Sequence, residues 1–268
     1  MKDQPEMSEK SANSMSHHSE NTCRILSLCG GGLSGAFSAA FLRDIEENTG
    51  KRLVDHFDLI TGTSTGGIIA LGLGLGIPAS QLYDFYRDKG RKIFPQNVVK
   101  GLRWLHRSKY SAEALKQELR SVFGDRLLSE SEIPLVVPSF NLGMNQVRLF
   151  KTRHNERFEI DHKIPAWKIA RATSAAPTYL PVCREIFGLQ LIDGGVWANN
   201  PVLVGLTESL SQFDVTAKSI RVLSIGTTIP VKRCRKKLDH AGVIGWPLAL
   251  MVVWRRLRMS IPTAWTFW

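Results

Sequence analysis

Phe57-Asp58-Leu59-Ile60-Thr61-Gly62-Thr63-Ser64-Thr65-Gly66, running into an apolar stretch over residues 67–75, decides how this chain is read. Residues 57–61 have the make-up of a short buried strand, and residues 67–75 that of a buried helix. Between them lies Gly62-x-Ser64-x-Gly66. A Gly-x-Ser-x-Gly between strand and helix is the pattern of a nucleophile elbow. Gly62, Thr63, Thr65 and Gly66 form the turn, and its glycines stand where a Cβ would clash. The turn holds Ser64 Oγ clear of the backbone at a helix N-terminus, where the dipole favours developing negative charge. A serine in a glycine-rich turn, or a simple helix N-cap, has the same local pattern, so the flanking elements carry the weight.

Working outward, residues 25–29 read as a buried strand that runs into Gly30-Gly31-Gly32-Leu33-Ser34-Gly35. Residues 36–48 follow with helical spacing. Residues 189–192 read as a strand ending at Asp193-Gly194-Gly195, and residues 201–211 as a helix with proline in its first turn. Further helices are expected over 79–92, 111–123 and 165–173, and further strands over 134–140, 147–152 and 220–225. Strands alternating with helices predict an α/β fold: a mainly parallel central sheet with helices on both faces, in three layers.

A serine nucleophile needs a base. The chain has seven histidines, and only His240 follows Asp193, within a basic tail. The usual order of serine, acid and histidine is therefore poorly served. Asp193 is a candidate in its own right, because a strand delivers it into the Gly194-Gly195 turn at a carboxyl end, where open α/β sheets build sites. A carboxylate within hydrogen-bond reach of a serine can take its proton. The third element is the run from Gly30 to Gly35, whose backbone N–H groups can converge on an anion at the start of a helix. In acyl transfer such a loop is an oxyanion hole. The same run satisfies Gly-x-Gly-x-x-Gly through Gly30, Gly32 and Gly35, with Asp55 and Asp58 roughly 20 positions on, which is a dinucleotide-binding pattern. That alternative accounts for neither Ser64 nor Asp193.

Taken together, Gly30 to Gly35, Gly62 to Gly66 and Asp193-Gly194-Gly195 resemble the patatin-like phospholipase family. Two further stretches fit it: Ala172-Thr173-Ser174-Ala175-Ala176-Pro177-Thr178-Tyr179-Leu180-Pro181, and Ala198-Asn199-Asn200-Pro201. The resemblance covers about residues 24–227. It implies a Ser64–Asp193 dyad with no histidine, and hydrolysis of a phospholipid or other lipid ester through an acyl-enzyme. It implies an oxyanion held by the amides of Gly31 and Gly32 with their neighbours. No metal and no organic cofactor is implied. Ser34 departs from the pattern, since members of the family often carry Arg or Lys there. A relative that binds lipid without cleaving it is the second alternative.

The composition sets the remaining expectations. The chain has 268 residues, is 43% hydrophobic, and carries a formal net charge of +11. Residues 87–120 and 230–268 each carry a net +7, and the rest of the chain is slightly acidic. Anionic membrane and nucleic acid are the partners such blocks suggest. No nucleic-acid-binding pattern is present, so peripheral contact with anionic membrane is the expectation. Four cysteines without metal-binding or disulfide-framework spacing, and no apolar leader, predict a reduced, cytoplasmic setting. No apolar run is long enough to span a bilayer. The expected division is a polar, disordered leader over 1–22, a catalytic domain over 23–229, and a basic, Trp-rich segment over 230–268. Within the last, residues 241–254 read as a core helix or an interfacial element.

Overall fold

The computed structural model describes residues 22–93 and 108–227. Residues 1–21 of the expected leader, Phe94 and Trp104 of the first basic block, and all of 230–268, His240 and the apolar segment 241–254 included, lie outside the described residues.

The chain builds β1 (Cys23–Leu28), α1 (Gly35–Thr49), β2 (Leu59–Gly62), α2 (Thr65–Gly74) and α3 (Ala79–Asp84). It continues with α4 (Gly90–Ile93), α5 (Ala112–Phe123), β3 (Leu135–Asn141), β4 (Gln146–Lys151) and α6 (Ala166–Thr173). It closes with β5 (Leu191–Asp193), α7 (Val202–Gln212) and β6 (Ile220–Ile225). The strands lie in the order β4-β3-β2-β1-β6, with β5 also paired to β3. The pairs β1–β2, β1–β6 and β2–β3 are parallel. Both β4 and β5 run antiparallel to β3. The expected mainly parallel sheet is present, with an antiparallel margin.

Side chains alternate along β1, and each set faces its own helical layer. Leu26 and Leu28 join Ile60 and the apolar faces of α1, α2, α3, α5 and α6 in the larger core. Cys23 and Ile25 join Leu59, Val136 and Ile220 against Val204, Leu206 and Phe213 on the α7 side. The sheet is therefore covered on both faces, as three layers require. Helix α2 is buried along its whole length, which explains why its sequence is apolar all round rather than amphipathic.

Three elements differ from expectation, the first being the strand expected over 57–61, which is displaced to Leu59–Gly62. The helix expected over 79–92 widens into a π-helical turn at Phe85–Lys89 between α3 and α4. That turn buries both Phe85 and Tyr86, and Tyr86 reaches the carbonyl of Thr65 at the head of α2 (3.2 Å). The strand expected over 189–192 is displaced to Leu191–Asp193, so Asp193 is its last residue rather than the residue after it. Among the described residues, no helix is long and apolar enough to cross a membrane.

Candidate active site

The pairing register of β3 brings the candidate residues together. Val136 lies opposite both Thr61 and Lys151, and Ser139 opposite both Arg148 and Asp193. Strand β4 therefore occupies one edge of β3, while β2 and β5 share the other edge end to end. Because β2 runs parallel to β3 and β5 antiparallel, their carboxyl ends point at each other. Thr61 and Asp193 face positions three residues apart on β3, a gap of roughly 10 Å. Gly62, Thr63 and Ser64 fill it.

Ser64 has φ 56 and ψ −120, a left-handed conformation that a residue with a Cβ adopts only under constraint. The constraints are visible. Ser64 N–H donates to Thr173 Oγ1 (2.9 Å), and the Thr173 hydroxyl donates to the Pro138 carbonyl (2.6 Å). Thr63 Oγ1 donates to the Ala198 carbonyl (2.6 Å), and Thr65 Oγ1 to the Gly32 carbonyl (2.8 Å). The turn also needs its glycines. A Cβ on Gly66 would stand 2.2 Å from the Leu28 carbonyl oxygen, and one on Gly62 2.2 Å from the Gly66 carbonyl oxygen.

The outcome is a direct hydrogen bond from Ser64 Oγ to Asp193 Oδ2, 2.7 Å long. Asp193 is fully buried, and Gly195 N–H donates to its other carboxylate oxygen (2.7 Å). Its own N–H donates to the Ala175 carbonyl (3.0 Å). Gly194 and Gly195 open a short 3-10 turn, Gly194–Val196. Trp197 follows it and donates from Nε1 to the Ser139 carbonyl (2.9 Å). Among the described histidines, none bonds to Ser64 or Asp193. His154 is held by Glu208 and Thr152, and His162 by the Phe158 carbonyl.

The glycine loop lies against this pair. A Cβ on Gly30 would stand 3.2 Å from Ser64 Cβ. Gly30 N–H donates to the Asn199 carbonyl (2.9 Å), and its carbonyl accepts from Asn199 Nδ2 (3.4 Å) and Thr227 Oγ1 (3.3 Å). Gly32, Leu33 and Ser34 form a 3-10 turn. Ser34 N–H turns back to the Gly31 carbonyl, and Gly35 N–H to those of Gly32 and Leu33. Among the described residues, the amides of Gly31 and Gly32 have no protein acceptor. Leu33 is exposed and Ser34 half-buried, with no side-chain cap on α1. Cys29, which precedes the loop, is no rival nucleophile, because burial pushes its thiol up to about 11.

The dinucleotide alternative lacks its acid. Asp58 Oδ2 accepts from Arg24 N–H (2.7 Å), at the start of β1, whereas the glycine loop follows its far end. Arg24 is the second residue of that strand and Gly30 lies six residues on, roughly 20 Å of extended chain. Asp55 is paired with Arg52.

Sequence reasoning missed the side chains that hold Ser64 and the glycine loop in place. Thr173 and Asn199 both lie in stretches quoted for the family resemblance, but nothing local marks either as a partner of Ser64 or Gly30. Tyr86 gave no signal at all, since an aromatic at helical spacing reads as core.

The family model for patatin-like phospholipases matches residues 26–206. A cGAMP-activated phospholipase from Pseudomonas aeruginosa is 36% identical over 212 residues, 77% of this chain and 62% of that protein. A protein of the same name from Escherichia coli is 36% identical over 220 residues, 76% of this chain and 62% of its own length. Patatin-like protein 2 from Arabidopsis thaliana is 34% identical over 266 residues, 85% of this chain and 65% of that protein. The chain thus spans less than two thirds of the length of these relatives.

Proposed function

This chain belongs to the patatin-like phospholipase family, and from that premise we propose that it is a lipid acyl hydrolase working through a Ser64–Asp193 dyad. The observation that carries the proposal is the 2.7 Å hydrogen bond between Ser64 Oγ and Asp193 Oδ2. In the first step the Ser64 hydroxyl proton passes to Asp193 as Oγ bonds to the ester carbonyl carbon. The carbonyl oxygen becomes an oxyanion, and the amides of Gly31 and Gly32 are its candidate donors. Collapse breaks the ester C–O bond, and the leaving alcohol takes the proton from Asp193. Water, giving its proton to Asp193, then attacks the acyl-enzyme; collapse returns Ser64 and releases the fatty acid. The residues present complete the cycle without a metal or organic cofactor.

Labelling with a fluorophosphonate, followed by mapping of the modified peptide, tests the nucleophile. Modification at Ser64 that disappears in Ser64→Ala is the expected result; modification elsewhere sinks the dyad.

The names of the bacterial relatives support a second layer, activation by a cyclic dinucleotide. Ester hydrolysis measured with and without cGAMP tests it; a rate indifferent to cGAMP removes this reading and leaves the dyad standing. The basic blocks support peripheral contact with anionic membrane. Sedimentation with anionic and neutral vesicles tests that contact, and equal partition onto both defeats it.

A further inference from the structure

The described cations of the basic block over 87–120 are mostly compensated. Arg87 pairs with Asp84 and Asp88, Lys89 with Glu118, and Lys116 with Glu113 and Glu185. Arg120 stacks on Trp167. Lys109 differs. Its ammonium lies 4.9 Å from the ring centroid of Tyr110 and 5.7 Å from that of Tyr179, and among the described residues it makes no ion pair.

The backbone holds this group in place. Lys109 N–H donates to the Thr178 carbonyl (2.9 Å), and Tyr110 N–H to that of Tyr179 (2.8 Å). The two tyrosine rings stack at 6.2 Å with 25° between planes. Thr178 itself sits at φ 69, strained for a β-branched residue, and such strain gathers at functional positions. The same short segment reaches the dyad. Thr173 holds the Ser64 amide, and the Ala175 carbonyl holds that of Asp193. Thr178 follows Ala175 by three residues, at most roughly 10 Å of chain.

We propose that Lys109, walled by Tyr110 and Tyr179, is the subsite for the phosphate of a glycerophospholipid substrate. The ammonium has three N–H donors. Ring faces attract the cation without consuming them, so donors remain for phosphate oxygens. The glycine loop from Gly30 to Gly35 carries no cation of its own. The phosphate of a glycerophospholipid lies a few bonds from its scissile esters, and Lys109 is bonded to the same segment that holds the Ser64 and Asp193 amides. This inference rests on the acyl hydrolase reading and adds a source of specificity to it.

The test compares a phosphatidylglycerol with a diacylglycerol of the same chains in neutral detergent micelles, with cGAMP present. In Lys109→Met, kcat/KM for the phospholipid should fall about 10-fold, mainly through KM, with diacylglycerol hydrolysis within about 2-fold of wild type. Lys109→Arg should retain most of the phospholipid preference. Equal loss on both substrates, or no loss on either, overturns the subsite. Inorganic phosphate identifies the source recognised. Competition that vanishes in Lys109→Met means that the subsite takes free phosphate as well as the lipid-held group. No competition, with the KM effect intact, means that only lipid-held phosphate is bound. Competition that persists in the variant overturns the proposal. A wild-type protein active on diacylglycerol alone overturns the subsite and spares the hydrolase; one inactive on both overturns the two together.

Discussion

Ser64 and Asp193 share a 2.7 Å hydrogen bond across 129 residues of chain, because β2 and β5 meet end to end along one edge of β3. The contact is thus fixed by the sheet rather than by a mobile loop. Asp193→Asn should lower kcat by about 10²–10⁴-fold, the usual worth of a general base. Its melting temperature should stay close to that of the parent, since the amide is nearly the same size. Activity near that of the parent would exclude Asp193 as the base.

Thr173 is a positioning residue. Its hydroxyl accepts from the Ser64 amide and donates to Pro138, so Thr173→Val leaves two buried backbone groups without a partner. A stability loss of about 1–3 kcal/mol is expected. The misplaced nucleophile should lower kcat more than it changes KM. Thr173→Ser restores the hydroxyl and should recover both; a serine variant as poor as the valine one would assign the effect to packing.

How much of this was legible beforehand differs between the two halves of the dyad. Strand, elbow and α2 are contiguous, and glycine spacing with apolar runs is a local signal, so Ser64 could be read directly. Asp193 stood out only as a carboxylate in a glycine turn. That it meets Ser64 depends on β5 entering antiparallel beside β2, a long-range pairing that three residues of sequence cannot encode visibly. Thr173, Asn199 and Tyr86 act through single hydrogen bonds to backbone distant in sequence, and their residue types are common. The π-helical turn was invisible for a related reason: its extra residue is justified by the burial of Phe85 and Tyr86 against α2, not by local propensity.

Two glycine substitutions should behave very differently. Gly66→Ala drives a Cβ to within 2.2 Å of the Leu28 carbonyl oxygen, backbone that belongs to the sheet and cannot swing aside. The variant should lose several kcal/mol and accumulate little folded protein, an extreme of the overpacking penalty. Gly50, the left-handed cap of α1, has open space around it. Gly50→Ala should cost only about 1 kcal/mol. Chemical denaturation of the two side by side checks the contrast.

Acid stability has an identifiable source away from the dyad. Glu208 on α7 accepts from Lys151 Nζ (2.6 Å) and pairs with His154 Nε2 (2.8 Å). Burial raises its carboxyl, but the hydrogen bonds from His154 and Lys151 outweigh that and hold it below the usual 4.5. A carboxyl lowered by folding stabilises the protein fully above its unfolded value and loses that contribution as pH falls through the folded one. The cluster should therefore fail below about pH 4.5. Asp161 beside Arg148 opposes it in part, because burial raises its carboxyl. Glu208→Gln should lower stability at neutral pH and flatten the fall below pH 4.5. An unchanged acid limb in urea titrations would exclude Glu208 as its source.

Thr227 ends the described chain with its side chain against Gly31 and its hydroxyl on the Gly30 carbonyl. The end of β6 is thereby tied to the glycine loop that lies against Ser64. Ser64 has a separate clamp, the hydroxyl of Thr173 on its amide, so the loop and the serine are held by different elements. A disturbance at the end of β6 therefore meets the glycine loop before it meets the Ser64–Asp193 contact.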